Sequence, residues 1–241
     1  MTETTIGRFG EGPLSRASAL VYTLLVVEIL FLATTVPGLA GLVLLARDAA
    51  NVPLAALCLL PVAPALSAAL YAVHRRRLDL TDLHPARAFW RGYRMNFRGV
   101  VKIWIPLLAW LTLLGSTLAN FAAAGVPGWW AVLLVILALA ATLWGANALV
   151  ITSLFEFRSR DVGRLAAYFL LCSPRITLGN ACLVIVAAGV TLVVTEAGLA
   201  LLASVFVSAL LLNGRPMVAE VTERFIRPPA PSPPPDPPPS P

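Results

Sequence analysis

Glu28 sits inside an apolar run, Ala19 to Ala33, in which the only other polar groups are the hydroxyls of Tyr22 and Thr23. A carboxylate near the middle of a membrane helix costs about 2.5–3.5 kcal/mol on insertion scales when it faces lipid, so it should turn toward protein or a water-filled interior. Two chemistries fit such an acid. It can bind a proton or a substrate on a transport path, or it can lock helices together through hydrogen bonds. Asn147 and Asn180 also fall in apolar runs and are potential donors to it, so the three form a candidate intramembrane polar site. Amides at such positions, Asn120 among them, bond across helix interfaces for about 1–2 kcal/mol in model peptides, which makes packing the plainer account of the asparagines.

A second set of residues carries charge. Arg87, Arg91, Arg94 and Arg98 recur at helical spacing, with Phe89, Trp90, Tyr93 and Phe97 on an adjacent face. This pattern predicts an interfacial helix whose rings lie at headgroup depth and whose guanidinium groups meet anionic lipid phosphate, with Asp82 as its N-cap before Pro85. A partner protein is the alternative contact for the same stripe. Asn96 and Arg175 stand where such elbows meet spanning helices, positions suited to bonding backbone carbonyls and closing the loop. A weaker amphipathic segment, Asp161 to Leu171, repeats the arrangement later in the chain.

The elements that position these residues follow from hydropathy. Of the 241 residues, 59% are apolar and 12% charged, where a soluble domain carries about 25% charged residues, so a soluble fold is excluded. Six stretches are long and apolar enough to span a bilayer, at about 18–46, 53–73, 101–124, 129–154, 176–195 and 197–213. The predicted fold is an all-α integral membrane domain of six transmembrane helices, arranged as three hairpins with amphipathic cytoplasmic elbow helices. A kink or partly unwound end is expected at Pro37.

With Lys102 counted in the loop that precedes it, 17 of the 18 basic residues fall on one side of this layout, with Arg47 opposite. The positive-inside rule then places both termini in the cytoplasm. Residues 1–17 form a cytoplasmic N-terminal segment, 214–227 a juxtamembrane segment, and 228–241 a Pro-rich tail with ten prolines in fourteen residues, expected to be disordered and biased to polyproline II. The basic charge marks topology and not nucleic-acid binding. Cys58, Cys172 and Cys182 show no metal-ligand spacing, only His74 and His84 supply imidazole, and no nucleophile or phosphate-loop motif occurs, so neither a metal, a cofactor nor catalysis is expected.

Four local patterns occur in succession: Thr35-Val36-Pro37-Gly38, Phe89-Trp90-Arg91-Gly92-Tyr93-Arg94-Met95-Asn96-Phe97, Leu154-Phe155-Glu156-Phe157 and Cys172-Ser173-Pro174-Arg175. Through about residues 15–226 their order and spacing resemble the YesL-like family of small bacterial membrane proteins, a domain of unknown function. The resemblance implies a multi-helix membrane protein of a kind often encoded near carbohydrate-uptake transporters and glycoside-degrading enzymes. Glu28 departs from the family, whose members commonly show an uncharged polar residue, often Asn, nine positions before the proline. The reading that follows is a non-enzymatic accessory or regulatory component of a sugar-uptake system, contacting a transporter subunit and anionic lipid head groups at the cytoplasmic face. The alternative is a small-molecule transporter or channel that uses Glu28 in a midplane site.

Overall fold

Prolines set most of the helix boundaries. The protein is described from a computed structural model that covers residues 13–46, 48–78, 84–125, 127–193 and 196–225, and among these every regular element is helical. Helix α1 runs Pro13–Leu44 and stays helical through Pro37, so the expected unwound end is replaced by a continuous helix. Thr34 and Thr35 donate their hydroxyls to carbonyls one turn back, and Gly38 lies directly against the Cys58 carbonyl, which holds the segment beyond the proline in place.

The second apolar stretch is broken. Helix α2 (Val52–Cys58) ends in a turn over 59–61 before α3 (Val62–Leu78), because Pro61 has no amide hydrogen to continue the ladder and its ring opposes the preceding turn. The Leu59 carbonyl in this turn accepts from the Val62 amide at 3.2 Å and from the Trp104 indole at 3.1 Å. Helix α3 is the hub of the bundle. Ala63, Ala65, Ser67, Ala68 and Leu70 are fully buried, and the small side chains of the first four let α1, α4, α5 and α9 approach closely.

The first elbow and the third span form one helix, α4 (Pro85–Ala119), rather than two elements. Nothing between Phe97 and Val101 stops a helix, and Gly99 packs its bare face toward the Thr152 methyl instead of ending the run. The proposed Asp82 cap lies outside the described residues, as do residues 1–12, Arg47 and the Pro-rich tail. A 3₁₀ turn, Phe121–Ala124, closes on Gly125 at φ 61°, a left-handed position that glycine takes without strain, and leads to α5 (Trp129–Leu154).

Helix α6 (Ser159–Cys172) is the second elbow, separate from α7 (Pro174–Val193). The last apolar run is also interrupted: α8 (Glu196–Ala200) and α9 (Ala203–Asn213) are divided at Leu201–Leu202. The juxtamembrane segment then forms α10 (Arg215–Phe225). Among the described residues five stretches are long and apolar enough to cross a membrane, Ala17–Leu44, Ala49–Arg75, Pro85–Ala119, Trp129–Leu154 and Pro174–Val193, while α9 is a shorter apolar helix. Leu44, Leu192 and Val193 are each at least 85% exposed, a surface that matches hydrocarbon and not water.

Candidate functional site

Glu28, at the middle of α1, reaches across to the break between α8 and α9. Its Oε2 accepts from the Ser204 amide at 2.7 Å, in the first turn of α9, where amides have no partner within their own helix. Its Oε1 is buried and has no hydrogen-bond partner among the described residues. A cavity of about 430 Å³ lies farther along α1, lined by Phe31, Thr35, Leu59, Val62, Ala203 and Phe206 among others but not by Glu28. Both helix interruptions, at 59–61 and 201–202, lie at its wall.

Asn147 and Asn180 come together with each other and not with Glu28. The Asn180 amide donates to Asn147 Oδ1 at 2.9 Å, and Asn213 Nδ2 donates to Asn180 Oδ1 at 2.8 Å and to the Ile176 carbonyl at 2.9 Å. This relay ties α5, α7 and α9 across the interior and leaves Asn147 Nδ2 buried without a partner among the described residues. Asn213 and Ser204 do not stand out in the sequence because both sit where the apolar run is ending or interrupted. A clue exists at Gly179: a Cβ there would overlap the Asn213 amide, so the glycine makes room for it.

Asn96 lies inside the continuous α4, so there is no loop for it to close; it donates instead to the Ser153 carbonyl of α5 at 3.0 Å and to Ser67 Oγ of α3 at 3.3 Å, while Ser153 Oγ donates to Ser67 Oγ at 2.8 Å. Arg175 is exposed in the first turn of α7 and bonds none of the described residues. On α4, Arg87, Arg91, Arg94 and Arg98 are exposed, and Trp90, Arg87, Arg91, Arg94 and Met95 border one hollow. Phe89 is buried against α3 and starts a ladder of rings in which Trp90 meets Tyr93 at 5.7 Å and Tyr93 meets Phe97 at 5.7 Å. Gly92 brings this face onto Tyr71 of α3.

The stripe is therefore a row of exposed cations on a continuous helix. Changing Arg87, Arg91 and Arg94 together to Gln should lower retention of anionic lipid by roughly 1 kcal/mol per charge at low salt, and lose most of that difference at high salt. Lipid counted by native mass spectrometry from mixed anionic and zwitterionic nanodiscs checks this; equal retention by both proteins counts against a headgroup role.

A second groove, about 420 Å³, lies between α6 and α10. Phe157, Leu165, Tyr168, Phe169 and Val221 form its apolar lining, and Asp161, Arg164, Glu220 and Arg224 its rim, with Arg224 paired to Glu220 at 3.1 Å. The region that joins α1 to the stripe has a relative. Residues 24–118 match the family model described as "Protein of unknown function, DUF624". The match takes in Glu28, the Pro37-Gly38 contact, the broken α2–α3 pair and nearly all of α4, and stops short of α5 to α10. No curated protein and no solved structure matches the chain.

Proposed function

We propose that this chain is a YesL-like, non-enzymatic component of the bacterial plasma membrane that serves a carbohydrate-uptake system as an accessory or regulatory subunit. The observation that carries the reading is the groove between α6 and α10. It combines an aromatic floor with a rim of both charge signs, as a surface that receives an amphipathic segment of another protein does. In this reading the bundle crosses the bilayer six times, with α8 and α9 together as the last crossing, and both termini are cytoplasmic. Two contacts support that topology: α9 starts at the level of Glu28 and ends beside Ile176 and Asn180 at the start of α7, so it runs back toward the end of the bundle where α1 begins.

The interior polar groups favour a subunit over a sugar permease. Asn147, Asn180 and Asn213 bond one another, and Asn96, Ser67 and Ser153 do the same, which leaves few donors for a polyhydroxylated solute. The test is affinity purification in mild detergent from cells growing on an oligosaccharide. A permease or ATPase subunit should co-purify with wild type and be lost with Tyr168→Ala plus Arg164→Glu, two exposed groove positions, while the variant still inserts. Recovery of the chain without any transporter subunit, or undiminished recovery with the double variant, sinks the proposal. Reporter fusions after residue 225 should read cytoplasmic; an external reading would remove the sixth crossing.

A further inference from the structure

One wall of the groove between α6 and α10 runs on into the chain's own proline-rich segment. Val221 and Arg224 line the groove, α10 ends at Phe225, and Pro228 follows three residues later. Residues 228–241 carry a carbonyl at every position but, with ten prolines in fourteen residues, an amide hydrogen at only four. Such a run is biased to polyproline II, makes no hydrogen bonds within itself, and presents acceptors to any surface that can donate. The groove can donate. The Tyr168 hydroxyl and the Arg164 guanidinium stand at it, both residues are exposed, and neither side chain has a hydrogen-bond partner among the described residues. Its rings suit the same occupant, because aromatic-lined grooves take up proline-rich segments by packing pyrrolidines on ring faces. Arg224 is already paired with Glu220, so the rim charges left without a partner among the described residues are Asp161 and Arg164. The segment brings the opposite of each, Arg227 just ahead of it and Asp236 within it.

Reach does not limit the contact. From Asp161 to Phe169 α6 advances about 12 Å at 1.5 Å per residue, a length that about four residues of polyproline II cover. The rest of the segment is free to turn back from the end of α10. It also stays on the groove's side of the membrane, since the bilayer core holds no partners for its carbonyls. Tethered at the groove's edge, it is present there at an effective concentration on the order of millimolar, so an affinity too weak to join separate molecules is enough within one chain.

We infer that residues 228–241 occupy the α6–α10 groove of their own chain, with prolines on the Tyr168 and Phe157 rings and Asp236 at Arg164, and that a transporter subunit must displace them to dock. The displacement rests on the docking reading above; the occupancy needs this chain alone.

The full chain with Tyr168 replaced by the photocrosslinker p-benzoylphenylalanine, purified into phosphatidylcholine nanodiscs, tests the occupancy without a partner. Irradiation should join position 168 to the peptide that carries residues 228–241, as mapped by mass spectrometry. Reconstitution with an excess of isotopically heavy wild-type chain identifies the donor of the segment: adducts to the light peptide support the inference, and adducts mainly to the heavy peptide give the groove to a second copy and overturn it. Changing Pro233, Pro234, Pro235, Pro237, Pro238 and Pro239 to Ser keeps the length and should lower the yield about fivefold or more. Arg164→Glu should lower it about threefold, and Asp236→Arg added to it should restore the yield, which a folding defect would not allow. No adduct on the segment, or a yield that both the serine replacements and the charge exchange leave unchanged, overturns the inference. Deleting residues 228–241 should raise co-purification of a transporter subunit about threefold or more, and equal recovery overturns the displacement. A segment that crosslinks in a chain recovering no transporter subunit under any condition supports the occupancy and removes the docking reading instead.

Discussion

Asn180→Leu should destabilise the bundle by about 1–3 kcal/mol, the cost of leaving buried polar groups unmade. Asn180 is 3% exposed and is the middle member of the relay, so its loss strips Asn147 of the partner of its Oδ1 and Asn213 of one of its two acceptors. Asn147 Nδ2 has no partner to begin with, so in the variant the whole Asn147 amide is buried and unpaired among the described residues. The interpretation is checked by a cycle. If the cost comes from orphaned amides, Asn147→Leu combined with Asn180→Leu should lose less than the two single variants added together. Thermal unfolding of the purified proteins in one detergent gives all four values, and strict additivity would show that the leucines act through packing alone.

The helices were legible in the sequence wherever hydropathy ran unbroken. The predicted limits 129–154 coincide with α5, and the elbow read at Asp161 to Leu171 is α6 to within two residues at its start. Three features were not legible, each for a physical reason. The elbow at Arg87 to Arg98 was divided from the next span by its change of polarity, but helix continuity depends on backbone breakers, and Gly99 alone is not one. The break at 59–61 was hidden inside a stretch read as a single span because Leu59, Leu60 and Pro61 are all apolar, although Pro61 already carried the information. The break at Leu201–Leu202 has no sequence signal at all; both residues favour a helix, and the interruption belongs with the tertiary contact of Glu28 at the Ser204 amide.

The inward placement of the polar groups was legible, and their grouping into one site was not. Glu28, Asn147 and Asn180 all face the interior, as the cost of exposing them to lipid requires. Which of them meet is decided by the depth at which each helix crosses, and that depth is a property of packing. Glu28 is level with the start of α9, while Asn147 and Asn180 are level with each other and with the end of α9. The same helix therefore serves two polar sites at its two ends. α9 is held by an acid at its first turn and by an amide relay at its last, which explains how eleven residues stay in place without the length of a full span.

The largest effect expected of a single added methyl is at Gly38. A Cβ there would overlap the backbone oxygen of Cys58, and a backbone carbonyl cannot rotate aside as a side chain can. Cys58 ends α2 at the turn that Pro61 imposes, so α1 and α2 must separate for Gly38→Ala to be accommodated, at about 1–3 kcal/mol or more. Separation also pulls at the Leu59 carbonyl and its Trp104 bond, which carries the strain into α4. Gly189→Ala is the matched control: it lies within α7, with nothing within 4 Å of the place an added methyl would take, and should gain up to about 1 kcal/mol from helix propensity alone. The two substitutions add the same group to a helical glycine and should move the thermal midpoint in opposite directions. If both lower it alike, the α1–α2 approach is looser than the contact at Cys58 implies, and α1 is positioned instead by its bond from Glu28 to α9.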